Sequence, residues 1–145
     1  MGKFRVIAAI LIILFLFSTT AYGEENKKIE IFDINKEQVV KTIEPNEAVQ
    51  QIVLDYLHQI DGYVAKCDPI PNEGYAVRVP FKSSINMHNQ WINGSVYEVI
   101  IIIPDKKHPP FLVVFEDGER FLCLGFNGSV DKLSKTIDFQ FKDIH

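Results

Sequence analysis

Trp91 is the chain's only tryptophan, and it stands in the stretch Met87-His88-Asn89-Gln90-Trp91-Ile92-Asn93. Such a set has the chemistry of a contact surface: indole supplies area, methionine supplies adaptability, and the imidazole and amides supply hydrogen bonds. The polar segment that holds it, Lys82 to Ser95, is the longest between strongly apolar runs. Links of more than about a dozen residues without structure of their own tend to be functional or disordered. Met87, His88, Asn89, Gln90, Trp91 and Asn93 are therefore the candidate partner-binding residues. A plainer role competes with this one. Trp91 and Ile92 can fold back to cap the open end of a sheet, with Asn93-Gly94 turning into the next strand, and the usual burial of large aromatics favours the cap.

The remaining reactive side chains are scattered. His58, His88, His108 and His145 never pair at helical spacing, as a metal site on one element would ask, and no loop of alternating acids of the calcium-binding type occurs. His58 follows Asp55 by three residues, a spacing that suits a solvated pair on a helix. Nucleophilic catalysis is signalled by no GxSxG elbow, and no glycine-rich phosphate loop is present. Glu116, Asp117 and Glu119 cluster as the two carboxylates of a glycosidase would, but at a hairpin end, where charge is the ordinary surface. Asn93-Gly94-Ser95 and Asn127-Gly128-Ser129 have the form of glycosylation sequons, and both read more simply as turns. No catalytic residue, cofactor site or metal site is assigned on this basis. Cys67 and Cys123 leave two alternatives open, a disulfide or two buried free thiols, and neither lies in a CxxC pair.

The compartment is legible at the start of the chain. Lys3 and Arg5 precede an unbroken apolar run of twelve, Val6 to Phe17, and Ala21-Tyr22-Gly23 places small residues where signal peptidase needs them. Residues 1–23 are read as a cleavable secretory signal with cleavage near Gly23, and residues 24–145 as one globular domain, secreted or otherwise extracytoplasmic. An uncleaved leader serving as a membrane anchor is the competing reading, although the run is short for a span. Removal of the leader leaves 13 Lys plus Arg against 19 Asp plus Glu, a formal charge of −6. That balance, with no basic cluster, speaks against nucleic acid as a partner.

The mature chain has to position these residues with one helix and many strands. Val49, Ile52, Val53, Tyr56, Leu57 and Ile60 recur at helical spacing, behind Asn46 as N-cap and ahead of Gly62, so the periodicity predicts a helix from about Glu47 to Ile60. Strand-like runs are Ile29–Ile34, Gln38–Glu44, Gly62–Cys67, Tyr75–Phe81, Val96–Ile103, Phe111–Glu116, Glu119–Phe126 and Ile137–Phe141. Asp117-Gly118 predicts a two-residue hairpin, which would put Phe111, Val113 and Phe115 on the face of Leu122 and Leu124. Both faces of the last long strands are apolar, so the sheet must be covered twice, by the helix on one side and by the N-terminal hairpin, a barrel wall or a second subunit on the other. The expected class is α+β, a mainly antiparallel twisted β-sheet on one long α-helix, in the order β-β-α-β-β-β-β-β-β. The expected function is a small non-enzymatic domain that binds an unidentified protein or envelope component, with homodimerisation a further way to cover the second face. The alternative is a small secreted hydrolase whose histidines and carboxylates converge only in three dimensions.

Overall fold

The computed structural model describes residues 27–65, 71–105 and 107–142. The leader over residues 1–23, Cys67 and His145 lie outside the described residues. Among the described residues seven strands and two helices form: β1 Ile29–Asp33, β2 Gln38–Ile43, α1 Glu47–His58, β3 Ile60–Tyr63, β4 Tyr75–His88, β5 Asn93–Ile103, β6 Phe111–Glu116, β7 Arg120–Phe126 and α2 Asp131–Thr136. The strands make one sheet in the order β2-β1-β4-β5-β6-β7-β3, and every pairing is antiparallel.

That order forces α1 across the sheet. β2 and β3 are the two edges, six strand spacings or about 29 Å apart. The twelve residues of α1 span about 18 Å. With only Glu44–Asn46 before it and Gln59 after it, the helix has just the reach to carry the chain between the edges. Asn46 holds extended backbone and its Oδ1 accepts from the N–H groups of Ala48 at 2.8 Å and Val49 at 3.3 Å, which satisfies donors the first turn leaves over. Val49, Ile52, Val53, Tyr56 and Leu57 are the buried stripe, set on Ile29, Ile31, Val77, Val79, Val99, Ile101, Leu112, Val114, Leu122 and Leu124. Full burial of one such side chain is worth about 1.5–3 kcal/mol. The opposite face carries a second cluster of Phe32, Ile34, Ala76, Ile100, Ile102, Val113 and Cys123. The four consecutive isoleucines are thereby explained, since Ile101 and Ile103 point to one cluster and Ile100 and Ile102 to the other.

One ionic group interrupts the second face. Arg78, opposite Ile100 on β5, donates from Nε to Glu98 Oε2 at 2.7 Å and places Nη1 3.9 Å from Glu30 Oε2 on β1. Glu30 Oε2 is buried and accepts no hydrogen bond. Burial pushes the Glu30 carboxyl above its ordinary range, the Arg78 charge pulls it back, and the Glu98 charge raises it further.

Several expectations are corrected. Among the described residues no helix is long: α1 stops at His58, and Ile60 opens β3 because its side chain meets the core from β7's flank, opposite Phe126. Gly62 sits in that strand opposite Gly125 rather than ending the helix, and β3 ends at Tyr63, well short of Cys67. The β6–β7 loop holds three residues, Asp117, Gly118 and Glu119, with Glu116 opposite Arg120 and the Glu119 N–H donating to the Glu116 carbonyl at 3.1 Å. Asp117 and Gly118 have the positive φ values of 54° and 73° that the sequence called for, but the extra residue slips the register by one. A one-residue slip exchanges the faces. Leu112 and Val114 therefore share a face with Leu122 and Leu124, and Val113 shares the other with Cys123.

The C-terminal run Ile137–Phe141 is not a strand, and α2 precedes it. Its aromatics are held by ring contact instead: Phe139 and Phe141 lie 5.4 and 5.3 Å from the ring of Tyr75. The α2 carbonyl end is closed by Lys41 of β2, whose Nζ donates to the Ile137 and Asp138 carbonyls at 3.0 and 2.8 Å. Tyr56 links the two helices, donating its hydroxyl to the Ser129 carbonyl at 2.8 Å; burial and the nearby Asp131 charge push the phenol up to about 12.

Candidate interaction site at the tip of the β4–β5 hairpin

The segment expected as a long loop is a hairpin. β4 runs to His88 and β5 begins at Asn93, with pairs Ile85↔Val96, Asn86↔Ser95, Met87↔Gly94 and His88↔Asn93. Strand character survives the polar composition because Ile85, Met87, Ile92 and Val96 still supply one apolar face to the core. A register irregularity between Pro80 and Ile85 separates this tip from the main ladder. The turn is Asn89–Ile92, so Asn93-Gly94 belongs to the strand and does not make the turn.

Each candidate side chain has a definite place. Asn89 Oδ1 accepts from the N–H groups of Trp91 and Ile92, both at 2.8 Å, and the Asn89 N–H donates to the Ile92 carbonyl at 3.0 Å. This asparagine turn fixes the tip. Ile92 and Met87 are buried, His88, Asn89, Gln90 and Asn93 are exposed, and Trp91 is half-buried against the main cluster. His88 Nδ1 lies 2.8 Å from Asn93 Oδ1. The aromatic partner of Trp91 is Tyr63, 53% exposed, whose ring meets the indole edge-on at 5.3 Å and 81° while its hydroxyl donates to the Trp91 carbonyl at 3.2 Å.

Carboxylates brace this tip. β6 pairs with β5 no further than Val96, and beyond it the Asn93 N–H donates to Glu116 Oε2 at 2.9 Å and the Ser95 N–H to Asp117 Oδ1 at 2.7 Å. Side-chain oxygens thus stand where strand carbonyls would. Gly94 is required here, because its φ is +154° and a Cβ would lie 2.7 Å from Asp117 Oδ2. Glu116 and Asp117, two of the three carboxylates weighed for hydrolysis, each accept from a backbone N–H.

A second polar region lies at the other end of the sheet. Asp33, Lys36, Glu73, Asp105, Lys107 and Lys142 ring a crevice, beside which Asp105 Oδ1 meets His108 Nδ1 at 2.8 Å. The hydrogen bond with His108 holds the Asp105 carboxyl below its ordinary range, with the Lys107 N–H assisting. No serine, threonine or cysteine lines this crevice among the described residues. His58 is exposed on α1, and Asp55 there accepts from Gln51 Nε2 at 3.0 Å.

The chain matches no protein-family model, no curated protein and no solved structure. Its site must be read from its own geometry. That geometry gathers His88, Asn89, Trp91 and Asn93 at one tip and turns Met87 inward. It adds Tyr63, which sequence reasoning missed, since its partner is 28 residues away and no periodicity connects them.

Proposed function

We propose that this chain is an exported, non-enzymatic binding domain acting at or outside the cell envelope, and that it grips its partner with the aromatic pair of Tyr63 and Trp91. The observation that carries the reading is an exposed aromatic ring already locked in place. Tyr63 is tied to the Trp91 carbonyl and edge-stacked on the indole, and the turn beneath is fixed by Asn89 and braced by Glu116 and Asp117. Rings immobilised before binding lose little entropy when a partner arrives.

Export is supported by the leader-like residues 1–23 and by Cys123, which is disulfide-bonded. The only other cysteine is Cys67, and we assign it as the partner. Val64, three residues before it, donates its N–H to the Cys123 carbonyl at 3.0 Å, which supports the assignment. A bridge of this kind suits an oxidising compartment.

The test is capture of envelope components by the exported protein and by its Trp91→Ala variant. The exported wild type should show an N-terminus at Glu24 by mass spectrometry, and an intact leader would replace the secreted reading with an anchored one. Trp91→Ala should reduce capture at least tenfold while the melting temperature moves by less than about 5 °C, roughly the 1 kcal/mol of a half-buried contact in a domain of this size. A sharply lower melting temperature with capture unchanged per folded molecule would make Trp91 a core cap only.

A further inference from the structure

Asparagine is followed by glycine twice in the chain, at Asn93-Gly94 and Asn127-Gly128, and both pairs are followed by Ser-Val. Local sequence alone therefore predicts equal behaviour, yet the fold holds the two in opposite ways. The dipeptide carries a latent reaction. Glycine has no side chain to shield its main-chain nitrogen and rotates freely, so that nitrogen can reach the asparagine side-chain carbonyl carbon. The new C–N bond closes a five-membered succinimide. The side-chain amide C–N bond breaks, and its nitrogen leaves as ammonia with the proton of the glycine N–H. Water then opens the ring. Attack at the side-chain carbonyl gives aspartate, while attack at the main-chain carbonyl gives isoaspartate, whose backbone is longer by one methylene. The sum is uptake of water and loss of ammonia, with no electron transferred.

At Asn93 the closure is blocked. Asn93 and Gly94 are strand residues opposite His88 and Met87, and Asn93 Oδ1 lies 2.8 Å from His88 Nδ1. The N–H groups of Asn93 and Ser95 point to Glu116 and Asp117, so that of Gly94 between them points the other way, into the ladder with β4. It would have to leave that ladder to attack. Asn127 and Gly128 lie instead in the link between β7 and α2, and both are exposed. Among the described residues neither the Asn127 side-chain amide nor the Gly128 N–H forms a hydrogen bond. The ends of the link are pinned, since the Asn127 N–H donates to the Gln59 carbonyl at 2.9 Å and the Ser129 carbonyl accepts from the Tyr56 hydroxyl at 2.8 Å. Only the peptide between Asn127 and Gly128 is left to rotate. The product would put a carboxylate at the carbonyl end of α1, the negative end of its dipole, just ahead of Asp131 where α2 opens. We infer that Asn127-Gly128 is a self-modification site, whose conversion to isoaspartate and aspartate weakens the hold of Tyr56 and α1 on α2 while Asn93 persists.

The test is incubation of the purified protein in warm, mildly alkaline buffer, with digestion and mass spectrometry at intervals. Asn127 should gain about one dalton at least tenfold faster than Asn93, with the gain located by fragmentation of each peptide. Isoaspartyl methyltransferase should label the Asn127 peptide of the aged protein. In urea after reduction both pairs are released from the fold, and their rates should agree within threefold. Asn127→Gln, whose ring would need six members, should abolish the gain in that peptide. The converted fraction, separated by its extra charge, should melt about 3 °C below the unconverted one. Equal rates at Asn93 and Asn127 in the folded protein would overturn the inference. So would an unchanged Asn127 after a period in which the unfolded chain has converted, or equal melting of the two fractions.

Discussion

Arg78→Ala is expected to destabilise the domain by about 3–5 kcal/mol, the cost of removing one partner from a buried ionic group. Its side chain is 9% exposed and lies between two carboxylates, Glu98 at 2.7 Å and Glu30 at 3.9 Å. The loss is large because of what remains, two like charges on an apolar face beside Ile100 and Ala76. In a domain of this size that corresponds to a fall of at least 10 °C in melting temperature. The pH dependence has a definite sign. A carboxyl whose folded pKa is raised contributes stability that is complete below its unfolded value and lost as pH rises through the folded value. Glu30 is such a group, and Arg78 is what pulls its pKa back. Without Arg78 the folded value rises further, so the variant's deficit should shrink between pH 7 and pH 5. Urea unfolding at both pH values measures it, and a deficit below 1 kcal/mol at pH 7 would mean that water reaches the group. Glu30→Gln, by contrast, removes a buried carboxylate with an unsatisfied oxygen and should cost little.

Loss of the bridge that we assign between Cys67 and Cys123 ranks next. Closing a loop of just over fifty residues lowers the entropy of the unfolded chain by an amount worth about 4 kcal/mol. Cys123 is also a buried member of the second-face cluster, between Val113 across the ladder and Val64 beside it. Comparison of oxidised and reduced wild type isolates the bridge without leaving a cavity. The non-reduced protein should be two hydrogens lighter, and reduction should lower stability by about 4 kcal/mol in urea. Equal stability of the two forms would show that the bridge does not constrain the fold.

The sequence carried the elements better than their relations. Periodicity and Asn46 located α1 to within two residues at its end, and the Asp117-Gly118 dipeptide named the residues with positive φ. What it lacked was the count across the turn: Glu119 adds one residue, and one residue decides which face every side chain of β7 takes. Lys82 to Ser95 looked structureless because Ser83, Ser84, Asn86 and His88 dominate its composition, while strand order there rests on Ile85, Met87 and Val96 alone. Ile137–Phe141 has the alternation of a strand, yet Phe139 and Phe141 pack their rings on Tyr75 instead. The Tyr63–Trp91 pair depends on where β3 stops. No local pattern states that length.

The crossing of α1 from one sheet edge to the other has a consequence for the order of events during folding. β1 waits for Tyr75–Arg78 of β4, and β3 waits for Leu124–Phe126 of β7, more than sixty residues after it. Until that last strand has formed, the helix has no complete surface to lie on and its apolar stripe is exposed. Contacts so distant in sequence make folding slow. The domain therefore closes late, around β7.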